Sequence, residues 1–136
     1  MHTTNYVDTF IAVAPDSRAV TAEAPPSDPE NPSIAARQFA LLHEHPYEYT
    51  SDDVLFTVHA DRAGIAEPDR ERAREEFFSR GQACLRASAL GKRYGWGTHH
   101  DAQGRVALIP MGTDQYAELA ASQRLTQTAA MRSRRG

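Results

Sequence analysis

The chain has 136 residues, of which 40% are hydrophobic and 24% are charged, a composition typical of globular proteins and unlike disordered chains or coiled coils. This length predicts a single domain over residues 1–136. The formal net charge of -3 argues against a nucleic-acid-binding protein, because such proteins usually carry a basic surplus. The lone Cys84 and the lack of a secretion signal predict a cytoplasmic protein, and no apolar run is long enough to cross a membrane.

The first third of the chain is predicted to form a strand, a loop and a helix. Tyr6–Val13 is rich in β-branched and aromatic residues and therefore favours a strand. Prolines among small polar residues predict a surface loop, expected to be mobile, at residues 14–32. A helix should then begin near Ile34 and end near Glu44, because Pro46 disfavours the helical conformation in the residue before it.

The middle of the chain is predicted to hold a strand and a charged helix. In Val54–Ala60, every second side chain is apolar, which is the period of a strand with one face in the core. Asp52 and Asp53 precede this segment and are interpreted as turn residues, although a carboxylate there could also act in acid–base chemistry. A second helix is predicted from Pro68 to Arg80, because proline suits a first helical position and Gly81 the position after the last turn.

The last third is predicted to form a hairpin and a helix. Tyr94–Thr98 and Arg105–Pro110 favour strands joined by a turn that ends in glycine. Thr113 or Asp114 can cap a final helix, and the tail at residues 131–136 is expected to fray. The predicted fold is therefore α+β, with a small, mostly antiparallel sheet, helices packed on one face and the order β-α-β-α-β-β-α.

The segment Gly81–Gly104 contains the only tryptophan and the only cysteine of the chain. Because glycines flank Trp96, this strand could approach a ligand closely, or it could be a bulged strand with Trp96 in the core. Its basic and aromatic residues are of the types that hold anions and stack on rings, or they could form a solvated face. These candidate ligand-binding residues are Arg86, Lys92, Arg93, Tyr94 and Trp96.

A second hypothesis places catalysis at Cys84. A cysteine with His99 or His100 as the base and Asp101 as the orienting carboxylate would supply the groups of a nucleophilic enzyme. Free cysteine is also commonly buried as a small apolar residue. The pair requires Cys84 and a histidine to meet in space, which the spacing alone does not establish.

No metal or cofactor site is predicted. His43 and His45 lie too far apart around a helix to share a metal, and the adjacent His99 and His100 point to opposite faces of a strand. The remaining candidates for a histidine–carboxylate site are His59, Asp52 and Asp53. No phosphate-binding loop or dinucleotide fingerprint occurs in the chain.

These observations favour a non-catalytic binding or interaction module for an anionic small molecule or a nucleotide. One alternative is a small enzyme that uses Cys84 with His99 or His100. The other is a homo-oligomer that assembles through the hairpin.

Three segments and both ends of the chain carry a family resemblance. The segments are Thr50–Phe56, Gln82–Ser88 and Leu90–Gly97, and the ends are Met1–Tyr6 and Ala130–Gly136. Together they resemble a family of small bacterial proteins catalogued only as a domain of unknown function. The resemblance implies that the whole chain is one natural unit, in which the proline-rich stretch is an internal loop. It implies no activity, cofactor or site residue.

Overall fold

The computed structural model describes residues 1–133 and contains a four-stranded mixed sheet. Its strands are β1 (Thr9–Ala12), β2 (Trp96–His100), β3 (Val106–Pro110) and β4 (Thr126–Ala129). They lie side by side in the order β3-β2-β1-β4. The β1–β2 and β2–β3 pairs are antiparallel, whereas β4 runs parallel to β1. The predicted α+β fold with a mostly antiparallel sheet is confirmed.

Five α-helices accompany the sheet in the described part of the chain. They are α1 (Ile34–Glu44), α2 (Ser51–Ala63), α3 (Arg70–Phe77), α4 (Ala89–Lys92) and α5 (Asp114–Ala121). Short 3-10 turns at Glu67–Asp69 and Leu85–Ala87 precede α3 and α4. None of these helices is long and apolar enough to cross a membrane.

Helix α1 has the predicted bounds because local signals set both of its ends. The Ser33 hydroxyl accepts a hydrogen bond from the Ala36 backbone N–H and so satisfies one of the free donors of the first turn. At the other end, Pro46 follows the helix and keeps His45 out of the helical conformation. No long-range contact is needed to explain either end.

The predicted central strand at Val54–Ala60 is wrong, because this segment lies within helix α2. Thr50 and Asp53 form a capping box, in which each side chain accepts a hydrogen bond from the other residue's backbone N–H. Gly64, in the left-handed conformation, ends the helix. Asp52 and Asp53 are therefore first-turn residues of a helix and not residues of a turn.

The alternation that suggested a strand arises because α2 is buried on two sides. Val54 belongs to the cluster that includes Leu42 of α1 and Trp96 of β2. Phe56, two residues later, packs instead with Ala60 and Phe78. On each buried side of a helix, apolar residues recur about every four positions. The two sides of α2 are offset by two positions, so together they place an apolar residue at every second position.

The helices cover both faces of the sheet, which differs from the predicted placement on one face. The face that carries Trp96 and Val106 packs with residues of α1, α2 and α4. On the other face, Phe10 and Ile109 pack against Tyr116 of α5. The one-face arrangement therefore describes α1, α2 and α4 but not α5.

Further differences from the predicted element order occur after residue 67. The helix predicted at Pro68–Arg80 is divided into a 3-10 turn and the shorter α3, and α4 and β4 had not been predicted. The hairpin of β2 and β3 and the final helix are confirmed. Met131–Ser133 has no regular structure, and the rest of the predicted frayed tail lies outside the described residues.

The proline-rich segment at residues 14–32 contains no helix or strand. The middle of this segment is hydrogen-bonded to the start of strand β2. The Glu23 N–H donates to the Tyr94 carbonyl, and the Glu23 carbonyl accepts from Trp96 Nε1. Gly95 has φ +81°, and a Cβ there would lie 2.7 Å from the Thr21 carbonyl oxygen. Gly95 thus allows this loop, and not a ligand, to approach the strand closely.

Candidate functional site

A pocket of about 420 Å³ lies between α1, α2 and the segment at residues 82–89, and we call it the helix pocket. Its volume is within the range of small-molecule sites. Its apolar wall residues are Ile34, Ala35, Leu55, Val58, Phe77, Ala83, Ala87 and Ala89. Its polar lining residues are Gln38, His59, Arg62, Gln82, Cys84 and Ser88. The combination of apolar walls with a few polar groups is characteristic of sites for small organic ligands.

Two nearly buried polar side chains line the helix pocket. Gln38 is 3% exposed and Ser88 is 9% exposed. The Ser88 hydroxyl donates to Gln38 Oε1 over 2.6 Å. No described residue forms a hydrogen bond with the Gln38 amide nitrogen. This nitrogen is not fully enclosed by protein atoms. This amide N–H group is therefore available to a hydrogen-bond acceptor in the pocket.

The rim of the pocket is aromatic and basic. His59, which is exposed, stacks on Phe77 with ring centroids 4.7 Å apart. Arg62 is also exposed and forms no ion pair or side-chain hydrogen bond with a described residue. No Asp or Glu is among the described residues that line the pocket. Among the Lys, Arg, Asp and Glu residues of the described chain, Arg62 alone lines the helix pocket.

Cys84 forms part of the pocket wall, and its hydrogen-bond partner is a tyrosine. Its Sγ lies 3.1 Å from the Tyr6 hydroxyl. Burial, followed by the hydrogen bond with Cys84, raises the pKa of Tyr6 to about 12, while the nearby Arg86 acts in the opposite direction. The phenol is therefore protonated at neutral pH, and Tyr6 covers one side of the sulfur.

Asp52 holds the N-terminal segment that carries Tyr6. Its carboxylate accepts hydrogen bonds from the Thr3 hydroxyl and from both the backbone N–H and the hydroxyl of Thr4. In return, the Asp52 N–H donates to Asn5 Oδ1. The N-terminus of α2 therefore fixes the position of Tyr6 beside Cys84.

The two histidines proposed as catalytic bases have other partners. His99 Nδ1 lies 2.8 Å from the Tyr47 hydroxyl, and burial lowers the pKa of this histidine. His100 is fully buried, its Nε2 lies 3.0 Å from Thr98 Oγ1, and its ring meets that of Tyr6 edge-on. Asp101, the proposed orienting carboxylate, accepts hydrogen bonds from backbone N–H groups of its own turn. A Cys84–histidine catalytic pair stays a prediction, and within residues 1–133 no hydrogen bond joins the two.

Burial lowers the pKa of His100 to about 4. The second-largest influence is His99, which acts in the same direction, whereas Asp101 opposes both. Among the described residues, His100 Nδ1 has no hydrogen-bond partner. His100 is therefore a neutral core residue at neutral pH.

The five residues of the predicted basic–aromatic site occupy three environments. Trp96 is 9% exposed and lies in the core, with Tyr94 packed against the same cluster. The guanidinium Nε of Arg86 donates to the Ala129 carbonyl. Lys92 and Arg93 instead border a separate concavity. The structure thus brings Lys92 and Arg93 together and places the other three elsewhere.

The remaining histidines take part in local contacts. His43 stacks on Phe39, and His45 Nδ1 lies 2.6 Å from Glu48. Within the part of the chain that the structure describes, no three His, Cys, Asp or Glu side chains are grouped as metal ligands.

The helix pocket was not predicted as a site, although Cys84 was singled out. Gln38, Leu55 and Phe77 lie far apart in the sequence and belong to three different helices or their ends. The Thr50–Asp53 capping pattern could have identified α2, which forms one wall of the pocket.

Comparison with known proteins identifies a family without assigning a function. The family described as "Family of unknown function (DUF6157)" matches residues 1–136. No curated protein and no solved structure gives a significant match. Since the family match spans the whole chain, as the sequence resemblance had implied, the protein belongs to this family of unknown function.

Proposed function

We propose that the protein is a non-catalytic binding module whose small-molecule ligand occupies the helix pocket. The observation that supports this most directly is the pocket itself, about 420 Å³ in volume, with apolar walls and the nearly buried Gln38, whose amide N–H group forms no hydrogen bond with a described residue. Because this N–H group forms no hydrogen bond with residues 1–133, a ligand acceptor would pair with it without displacing a protein partner. No reaction is required to explain these features.

The only cysteine provides a direct test, because Cys84 lines the pocket. The dye anilinonaphthalene sulfonate, which joins an aromatic body to an anionic sulfonate, should bind in the pocket and slow alkylation of Cys84 by iodoacetamide. At about ten times its Kd, the dye leaves about a tenth of the pockets empty, so the alkylation rate should fall about tenfold. Mass spectrometry over time measures this rate.

Two tryptophan substitutions on α1 provide the matched comparison. Ala35→Trp should fill the pocket and abolish both dye binding and dye protection of Cys84. Ala40→Trp adds the same side chain at an exposed position outside the pocket lining, so both effects should persist. Equal dye binding by the two variants, or alkylation unaffected by dye, would show that the pocket is not the binding site.

A second binding site is supported by a separate observation. Arg18, Lys92 and Arg93 border one concavity of about 300 Å³, together with Asp16 and Ser133. Three cations around one concavity favour an anionic ligand such as a phosphate group. This second site keeps Lys92 and Arg93 from the five residues of the predicted basic–aromatic site.

Inorganic pyrophosphate is the probe for this second site. We expect it to raise the Tm of the protein at low ionic strength and to have little effect on the double variant Lys92→Gln/Arg93→Gln. A variant with two changed cations elsewhere, Arg72→Gln/Arg124→Gln, has the same net charge and should keep the shift. An equal Tm shift in all three proteins would exclude a specific anion site.

A further inference from the structure

Resting on the proposed function of the helix pocket, we infer that its ligand is a small amphiphilic carboxylate with an apolar body. The ligand would place its carboxylate at Arg62 and a neutral hydrogen-bond acceptor at Gln38. This assigns the chemical class of the ligand from three features of the pocket: its charge, its walls and its nearly buried polar end.

The charge of the pocket favours an anion. Arg62 lines the pocket and has no ionic or hydrogen-bond partner among the described residues. The lining includes no carboxylate from the described part of the chain that would compete for the guanidinium group or repel an anion. Arginine binds carboxylates through paired, charge-assisted hydrogen bonds, whereas a ligand ammonium group would be repelled.

The walls require an apolar body between the two polar ends. Leu55 and Val58 of α2 form part of one wall, and Ile34 of α1 lies on another. Phe77, stacked with His59, adds an aromatic surface near the rim. A hydrocarbon segment gains about 0.8 kcal/mol for each methylene removed from water, whereas a fully polar ligand gains nothing from these walls.

The nearly buried end requires a neutral acceptor. Gln38 is 3% exposed, and Ser88 already donates to its carbonyl oxygen. The amide N–H group is thus the part of Gln38 that remains for a ligand. A carbonyl or ether oxygen would satisfy it without carrying a charge into the protein interior, which would be unfavourable. Since Arg62 is exposed and Gln38 is not, the carboxylate lies at the rim and the acceptor lies deeper.

Four probes of equal chain length separate these requirements. They are hexanoate, its keto analogue with a carbonyl next to the terminal carbon, hexanol and hexylamine. Isothermal titration calorimetry gives each Kd, and protection of Cys84 from iodoacetamide reports whether the probe occupies the helix pocket. We expect the keto acid to bind most tightly, hexanoate next, hexanol about tenfold more weakly than hexanoate, and hexylamine not detectably.

Two variants assign the contacts. Arg62→Gln should remove the advantage of hexanoate over hexanol, about tenfold, and leave the affinity for hexanol unchanged. Gln38→Met keeps the approximate size of the side chain but removes its N–H group, together with the acceptor of the Ser88 hydroxyl, so it should remove the advantage of the keto acid over hexanoate. Arg124→Gln, on an exposed residue outside the pocket, makes the same charge change as Arg62→Gln and should alter none of these ratios.

The possible failures are distinguishable. If no probe or dye binds or protects Cys84, both the binding function and its ligand class are wrong. If hexanol and hexylamine protect Cys84 as well as hexanoate does, or if Arg62→Gln leaves the ratios unchanged, the pocket binds ligands but the carboxylate assignment is overturned. Binding of hexanoate without protection of Cys84 would place the carboxylate site elsewhere and also overturn the assignment.

Discussion

The Asp52→Ala variant is expected to lose about 4 kcal/mol in its free energy of unfolding. The carboxylate accepts three hydrogen bonds, from the Thr3 hydroxyl and from the N–H and hydroxyl of Thr4, at distances of 2.6 to 2.7 Å. Hydrogen bonds to a charged group contribute about 1.5–3 kcal/mol each. Thr4 is buried, so its backbone N–H would be left without a partner, whereas its hydroxyl would keep Ser51 Oγ, 3.0 Å away, as an acceptor. Urea unfolding monitored by circular dichroism measures the loss.

The neighbouring Asp53 provides the control for this variant. Asp53 accepts the Thr50 N–H in the capping box and pairs with Arg74 over 2.9 Å, at a partly exposed position. Asp53→Ala should therefore lose only about 1 kcal/mol. Asp52→Ala should also expose Cys84 to faster alkylation, because Tyr6 would no longer be held against the sulfur. An equal loss of stability in the two variants would contradict the anchoring role of Asp52.

The second large effect is a loss of stability in acid that depends on His100. In the unfolded chain, His100 should titrate near the ordinary histidine pKa of 6.5, whereas burial lowers its pKa in the folded protein to about 4. Between these values the unfolded state binds more protons, so the free energy of unfolding falls as the pH decreases from about 6.5 to 4. The difference between the two pKa values corresponds to about 3 kcal/mol, and no further loss from His100 is expected below pH 4.

The His100→Asn variant isolates this contribution. Its amide does not titrate, so the acid-dependent loss should become smaller by about 3 kcal/mol. The shorter side chain does not reach the position of Nε2 beside Thr98 Oγ1 and leaves a cavity in the core, so stability at neutral pH should fall. His43→Asn, which changes an exposed histidine, should keep the pH dependence of the wild type. Urea unfolding at intervals from pH 7 to pH 4 gives the curves. Parallel curves for wild type and His100→Asn would show that His100 is not buried in its neutral form.

Helix α1, the hairpin and the final helix could be predicted because their signals are local. The family was recognised from segments spread along the whole chain, and the α+β class from the mixture of helix and strand patterns. The candidate site could be predicted only in part. Cys84 was identified from its residue type, whereas its contact with the Tyr6 hydroxyl was not predicted. Tyr6 is 78 positions away along the chain, and a single contact over such a separation leaves no periodic pattern to read.

Two elements show how the tertiary structure changed the prediction. Strand β4, with the sequence Thr-Gln-Thr-Ala, lies at the sheet edge beside β1 and is largely exposed, so no apolar alternation marks it. Helix α2 has the alternation of a strand because it packs against one cluster through Val54 and another through Phe56. In both cases the spacing of apolar residues depends on which neighbouring segments cover the element. It therefore does not report the backbone conformation of the element directly.

The sequence by itself determined the places where the chain must cap, turn or stop. Ser33 begins a helix, Pro46 prevents its continuation, and the prolines keep residues 14–32 out of regular structure, because these effects act over a few bonds. The tertiary structure alone decided that α2 is enclosed from two sides, that α5 crosses to the opposite face of the sheet and that the helix pocket exists. Each of these features depends on packing between segments that are distant in the sequence. The whole fold determines which polar groups are buried and which apolar surfaces stay in water, and both carry a free-energy cost.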